Sequence, residues 1–383
     1  RIMHRKSIFF LLGSVSILVI VGVVMLISTC IFSADADMSN GYKEAKRQAI
    51  WLAVGIGVCF FAAARDYRFW RRNNWMLFGG VCFLLALCFV PHIGMEINGE
   101  RRWIGIRPFQ LQPSELGKIA VVVFLAWWFS RHPDSGRHFL RGFAFPLAIV
   151  GLPLALILFE VDIGTTIVLT VTTFMILFVA GTDWRYLTGL SMTGFAGFIG
   201  MLSYAPDRME RIMAFLDLEA HRYGAGFQQW ISLMAIGSGG LDGRGVGEGR
   251  LKMLYMPFAH TDFIFPMIGE EMGLAVTLLV VIAFITLVIS GFVIGFHAPD
   301  RFGMLLSIGL VGYIGVQAFL NIGVATSILP NTGLTLPFVS YGGSSLVVAF
   351  LSIGILINIY RQGISGDEEG SDWVRRKRIT PRV

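Results

Sequence analysis

"IFFLLGSVSILVIVGVVMLISTCI", residues 8–31, holds no charged side chain from end to end. A bilayer core about 30 Å thick is crossed by roughly 20 apolar residues in a helix, so this stretch reads as a membrane span. It is too long for the apolar core of a secretory leader, and no small-residue cleavage site follows it. Nine further apolar runs succeed it, at roughly 47–64, 75–91, 114–130, 143–159, 163–180, 187–205, 268–294, 302–325 and 340–360. With 55% hydrophobic residues, 15% charged residues and a mean hydropathy of +0.69, the chain lies outside the soluble range. The expected fold is an all-α polytopic integral membrane protein with about ten transmembrane helices. Cys30, Cys59, Cys82 and Cys88 fall in or beside apolar runs without metal-ligand spacing, and read as small buried hydrophobes.

Lys and Arg in the loops set the orientation. With the N-terminus inside, residues 1–6, 65–74, 131–142, 181–186, 295–301 and the chain after 360 are cytoplasmic. Those segments hold 18 of the 31 Lys and Arg and 8 of the 25 Asp and Glu. Both termini are then cytoplasmic, and the net charge of +6 reflects membrane topology rather than a nucleic-acid partner. Residues 1–363 form one transmembrane domain. The segment 364–383, with "GDEEGSDWVRRKR" at 366–378, is expected to be a disordered cytoplasmic tail.

Two long external loops interrupt the spans, at about 92–113 and, between the seventh and eighth helices, at 206–267. Loops of that length in a compact protein usually carry function. The larger contains "AIGSGGLDGRGVGEGR" (235–250), whose glycines suit either a flexible linker or close backbone packing. It lacks the G-K-[ST] of a P-loop. The smaller leads into "QPSELGK" (112–118): Pro113 suits the first helical position, with Gln112 as its cap. Glu115 and Lys118 lie three residues apart on one face at the start of a span, where ionisable groups are costly and commonly face a cavity or partner. Arg101, Arg102 and Trp103 suit phosphate binding and sugar stacking, or an interfacial belt. In "FEVDIGTT" (159–166), Glu160 and Asp162 read as solvated acids of a tight turn. In "NTGLTLPFVSYGGSS" (331–345), Ser340, Ser344 and Ser345 suit a broken helix as well as a ligand. "MPFAHTDFIF" (256–265) sets His260, Thr261 and Asp262 against apolar neighbours, as a helix flank or as chemistry.

In this order, "NGERRWIG…QPSE", "DIGTT", "AIGSGG", "AHTDFIF…GEE" and "GLTLPFVSYGGSS" resemble the SEDS family, the shape, elongation, division and sporulation proteins typified by FtsW and RodA. The resemblance spans residues 10–362 approximately, and Asn98-Gly99 and Phe338 are more similar to the FtsW branch. It implies a peptidoglycan glycosyltransferase that polymerises lipid II into β-1,4 glycan strands at the outer face of the bacterial cytoplasmic membrane. It also implies a class B penicillin-binding protein as partner, with other divisome or elongasome membrane proteins. The family's essential Asp matches Asp262. Three positions depart from the family: Phe258 stands where an acid is common, Val161 where "EPD" has proline, and Thr332 where some division-type members carry lysine.

The implied reaction fits those residues. A sugar hydroxyl attacking an anomeric carbon needs a base within hydrogen-bond reach. The pyrophosphate leaves readily, so the second carboxylic acid of a glycoside hydrolase is unnecessary. Asp262 is the expected base, with His260 second as base or orienter. Arg101, Arg102, Lys118 or a divalent cation such as magnesium or manganese would offset the leaving charge. Trp103, Glu115, Asp162, Thr261, Ser344 and Ser345 are expected to bind substrate or support the site. A lipid II flippase and a non-catalytic divisome scaffold are the alternatives; neither gives a reason for Asp262.

Overall fold

The computed structural model describes residues 2–31, 38–91, 93–97, 100–106, 109–204, 206–251 and 261–379. The helices occupying the ten expected runs are α1 (Ile2–Ile31), α2 (Met38–Ala64), α4 (Asn74–Leu87), α5 (Pro113–Arg131), α6 (Phe145–Phe159), α7 (Ile163–Ala180), α8 (Trp184–Tyr204), α11 (Ile264–Phe296), α12 (Arg301–Ala325) and α13 (Gly343–Ile379). Among the described residues, α1, α2, α6, α7, α11, α12 and α13 are long and apolar enough to cross a membrane. α4 is apolar but has 14 residues, and α5 brings Glu115 and Lys118 into its first turns. A short helix α3 (Arg68–Arg72) links α2 to α4, while α9 (Pro206–Leu216) and α10 (Phe227–Gly239) lie within the larger loop between α8 and α11. α13 runs past residue 364, where the sequence suggested a tail.

The smaller loop adds what helical periodicity did not announce, a three-stranded antiparallel sheet in the order β1 (Gly94–Ile97), β2 (Glu100–Ile106) and β3 (Phe109–Leu111). Met95 pairs with Trp103, and Ile104 with Leu111. Glu96 pairs with Arg101, so Arg102 is the extra residue of a β-bulge, and Arg101 and Trp103 take opposite faces of the sheet. β3 then delivers the chain through Gln112 into α5.

The core centres on α5 and α12. From Ile119 to Ala126, every α5 side chain is buried, as is nearly every residue of α12 up to Ile314. A helix apolar on all sides is stable only when surrounded, and here α4, α7, α11 and α13 do the surrounding. Small residues let these helices approach closely. A Cβ on Gly309 of α12 would stand 2.5 Å from Val122 and 2.9 Å from Ile176, and one on Gly291 of α11 would strike Val311.

Hydrogen bonds also confirm which loops share an end. Arg301 donates to the last carbonyl of α7, Ala180, at 2.8 Å. Asp300 caps α12 through Gly303 N at 2.8 Å and lies 3.7 Å from Arg68. Thr182 donates to Gly142 O at 3.1 Å. The basic loops therefore gather at one end, and the polar motifs lie at the other.

The close crossing gives a test. Gly309→Ala should lower thermal stability by about 1–3 kcal/mol through overpacking. Gly57→Ala, on a face of α2 with nothing within 4 Å of the new methyl, should be neutral or slightly stabilising. Unfolding of both variants in one detergent checks the contrast.

Candidate active site

Between α12 and α13 the chain is unwound over 326–342, with left-handed backbone at Ser327 (φ 54), Gly333 (φ 67) and Phe338 (φ 67). Carbonyls released from a helix inside a bundle need new donors. Side-chain amides supply them. Gln229 of α10 donates to Val324 O at 3.2 Å and Leu329 O at 2.8 Å, and Ser232 donates to Ala325 O. From α12, Asn321 donates to Leu334 O at 2.5 Å and Asp262 O at 2.8 Å. Gln317, one turn earlier, donates to Thr335 O at 2.9 Å. Ser340 Oγ accepts from Leu336 N at 2.8 Å.

Lys118 explains why Gln317 points as it does. Its ammonium is fully buried, which would be prohibitive without partners. It donates to Glu115 Oε1 and to Gln317 Oε1, both at 2.7 Å, and lies 5.9 Å from the Tyr313 ring. With its oxygen committed to a cation, the Gln317 amide must turn its NH₂ toward Thr335. Thr335 in turn donates to Ser345 Oγ at 3.4 Å.

Asp162 gathers a second set of contacts. One carboxylate oxygen caps α7 by accepting from Thr165 N at 3.0 Å. The other accepts from Gln112 Nε2 at 3.2 Å and Ser114 Oγ at 3.3 Å. Gln112 thus makes no side-chain cap on α5, contrary to expectation, because its amide reaches across to α7. Its main-chain N–H donates to Ser344 Oγ at 3.1 Å, and Ser344 donates to Gln110 O at 3.1 Å. Arg102 donates to Glu160 O at 3.2 Å and Val161 O at 2.6 Å, 4.0 Å from Asp162. Val161 has φ 66, which a proline ring locked near −65° cannot reach, so this turn differs in conformation from one built on "EPD".

The reading of Glu160 and Asp162 as solvated acids is overturned: they are 2% and 4% exposed. Asp162 is buried by the partners just named. Glu160 faces inward beside Cys88, and among the described residues neither of its oxygens has a hydrogen-bond partner at normal distance. Burial pushes its carboxyl up to about 8, with the nearby Cys88 thiol opposing, the Asp162 charge adding and Arg102 opposing.

Asp262 stands two residues before α11, ahead of Phe263, Ile264 and Phe265, all buried. Those three apolar side chains fix the helix start and leave Asp262 and Thr261 half-buried at its rim. The Asp262 carboxylate meets the unwound stretch at Gly333, where a Cβ would lie 3.5 Å from Oδ2. The structure thus connects Asp262, through Asn321 and the 331–335 backbone, to Gln317, Lys118 and Glu115. Ser344 and Ser345 join from the start of α13, and Asp162 joins from the adjoining turn, held by Arg102 of β2. Trp103 is half-buried and Arg101 exposed, on opposite faces of the sheet across the bulge at Arg102. His260 lies outside the described residues, as does Phe258. Among the described residues no three His, Cys, Asp or Glu side chains group to hold a metal ion.

Gln317, Asn321 and Gln229 were not singled out in the sequence. The signal was present for two of them: "QAFLN" (317–321) sets two amides four residues apart, on one face of an otherwise apolar helix.

Removing one member of a buried ion pair costs about 3–5 kcal/mol, whereas replacing both members is tolerated better. Glu115→Gln and Lys118→Met should each lower the unfolding temperature, and the double variant should recover part of that loss; additive losses would contradict the pairing. For Glu160, a raised native pKa means that the folded chain holds the proton more tightly. The associated stability is complete below about 4.5 and is lost as pH rises through about 8. Glu160→Gln should therefore match the parent near pH 5 and exceed it at about pH 9. Parallel pH profiles of thermal unfolding would contradict the assignment.

Comparisons with known proteins agree with this arrangement. Residues 8–364 match the FtsW/RodA/SpoVE family model, described as "Cell cycle protein". Stage V sporulation protein E of Bacillus subtilis is 38% identical over 345 residues, covering 90% of this chain and 94% of that protein. A probable peptidoglycan glycosyltransferase FtsW of Geobacter metallireducens is 37% identical over 356 residues, covering 93% and 95% respectively. Among solved structures, one described as "Structural coordination of polymerization and crosslinking by a peptidoglycan synthase complex" aligns with a TM-score of 0.77 and 28% identity, covering 92% of this chain and 97% of the other. The chain belongs to the FtsW/RodA/SpoVE family of cell cycle proteins.

Proposed function

We propose that this protein is a peptidoglycan glycosyltransferase that polymerises lipid II into β-1,4 glycan strands at the outer face of the bacterial cytoplasmic membrane, with Asp262 as the general base. The observation that carries the reading is the placement of Asp262: a half-buried carboxylate at the polar end of the bundle, with its backbone tied by Asn321 to the stretch that also holds Gln317 and Lys118. The name of the Geobacter relative and the family membership support the same reaction.

The acceptor strand or sugar presents a hydroxyl whose oxygen attacks the anomeric carbon of a lipid-linked donor. The bond from that carbon to the pyrophosphate oxygen breaks, and the hydroxyl proton passes to Asp262. A single in-line displacement inverts the α-linked donor to a β-linked product. Lys118 is wholly buried and Arg102 gives its donors to the 160–161 carbonyls, so both serve by holding backbone in place. We assign Arg101, exposed on β2, to the leaving pyrophosphate and the half-buried Trp103 to stacking on sugar. His260 and Thr261 flank the base in sequence and support it, Asp162 orients the α5 entrance, and Ser344 and Ser345 fix the start of α13. A divalent cation on the pyrophosphate would supply the same charge neutralisation as Arg101.

A crosslinking partner follows from the same logic. The solved peptidoglycan synthase complex supports a class B penicillin-binding protein as the companion chain, in division or in cell-shape maintenance. Placement of donor and acceptor matters at the level of 1 Å, which is worth about 100-fold in rate, and a partner that favours the competent arrangement would raise activity.

Asp262→Asn should reduce glycan polymerisation by about 10²–10⁴-fold, the usual contribution of a general base, with expression and membrane insertion near those of the parent. The measurement is strand length and yield from purified lipid II. Synthesis within about threefold of the parent would remove Asp262 from this role and return the flippase and scaffold readings to contention.

A further inference from the structure

The glycine-rich stretch and the "GEE" of α11 meet in a contact that the proposed reaction does not use. α11 breaks at Gly273 (φ 74, ψ −175), so the carbonyls just before the break have no helical partner. The glycine-rich loop takes them: Arg244 N donates to Glu270 O and Gly245 N to Glu271 O, both at 2.9 Å. Leu274 N, just after the break, donates back to Gly240 O at 3.0 Å. A Cβ on Gly273 would strike Gly243 N and Leu241 O, so only glycine permits this approach.

The two side chains then complete the attachment. Glu270 is fully buried, and its Oε1 accepts from Arg250 N at 2.8 Å and Leu251 N at 3.3 Å. Glu271 is 1% exposed, and its Oε2 accepts from Gly247 N at 2.9 Å and from Ser28 Oγ of α1 at 2.6 Å. A Cβ on Gly249 would lie 2.6 Å from Glu271 Oε1. Main-chain N–H groups and one hydroxyl thus stabilise both carboxylates through strong charge-assisted bonds.

We propose that Glu270 and Glu271 are positioning residues for Asp262. Asp262 lies two residues before the half-helix of α11 that runs from Ile264 to the break at Gly273, and Glu270 and Glu271 stand at its far end. The break uncouples this half-helix from the rest of α11, so the ties of the glycine-rich loop to the two acids fix the direction in which it presents Asp262. Cutting the Glu270 tie loosens the far end of the half-helix without touching the residues beside Asp262. The glycines of 239–249 serve close packing, and the loop's order comes from the two acids.

The proposal rests on Asp262 being the base of strand synthesis, and its test has one arm that does not. Full-length Glu270→Ala, purified in nanodiscs, is compared with the parent for kcat and KM on lipid II, and for hydrogen exchange of the 247–251 amides. The expected result is a kcat lower by at least about tenfold, KM within about threefold, and exchange at 247–251 faster by at least about tenfold, with protection beyond Leu274 unchanged. Glu270→Gln, which keeps the shape and one acceptor, should fall between the two, and it carries both readouts should the alanine variant fail to fold. Parent-like kcat in a folded variant, or unchanged exchange at 247–251, would overturn the proposal. A parent that makes no strand from lipid II would instead refute the proposed function, and the exchange arm would still decide the attachment.

Discussion

A peptide that leaves the helix inside a membrane-embedded bundle must find hydrogen-bond partners for its carbonyls, because lipid offers none. This chain does so over 326–342, and much of its polar end is arranged to meet that requirement. Gln229, Gln317 and Asn321 act as surrogate N–H donors to Leu329, Thr335 and Leu334. Asn321 extends the same service to the carbonyl of Asp262, so a solution to a folding problem also locates the acid. The buried Lys118 belongs to this scheme. An amide side chain can face either way, and a cation on its oxygen removes the choice.

The same principle recurs at the break in α11. There backbone N–H groups of the glycine-rich loop meet both the orphan carbonyls and the side-chain carboxylates of Glu270 and Glu271. Both sites bring donors to orphan carbonyls, and the second also brings acceptors to the amides of a loop. Asp262 lies between them, with Asn321 on one side and the helix holding Glu270 on the other. A carboxylate at the rim of two such networks is held by the backbone, which leaves its oxygens disposed toward the unwound stretch at Gly333.

How much of this was legible in the sequence depended on the type of signal. Long apolar runs report membrane helices directly, since burial in lipid tolerates few alternatives, and α1, α7, α12 and α13 lie where those runs are. Glu115 with Lys118 was readable because ionisable groups three apart at a span's start have few bland explanations. The sheet at 94–111 was not, since its strands are three to seven residues long and its pairing is set by contacts across a loop. Glu160 was misread because a short turn between spans normally meets water, whereas Arg102 and the packing of α6 on α7 close this one over. The glycine-rich stretch suited both a linker and a packed loop. Composition could not choose between them, because the deciding partners, Glu270 and Glu271, are remote from most of it in sequence. Gln317 and Asn321 went unnoticed since single amides in apolar helices are common, and only the i, i+4 spacing marks them as a pair.

The central claim is that Gln317, oriented by Lys118, holds the unwound backbone beside Asp262 through its N–H donor. Gln317→Glu separates the two ends of that bridge in one nearly isosteric change. A carboxylate there still accepts from the Lys118 ammonium, but it has no N–H to give Thr335 and repels that carbonyl instead. The measurement is glycan-strand synthesis by the folded variant, read beside its unfolding temperature. The account predicts synthesis reduced by at least about tenfold with the bundle still folded, because a small displacement of reacting groups is enough to slow the reaction. Synthesis within about twofold of the parent would contradict it, and would show that the backbone beside Asp262 is held by something other than this bridge.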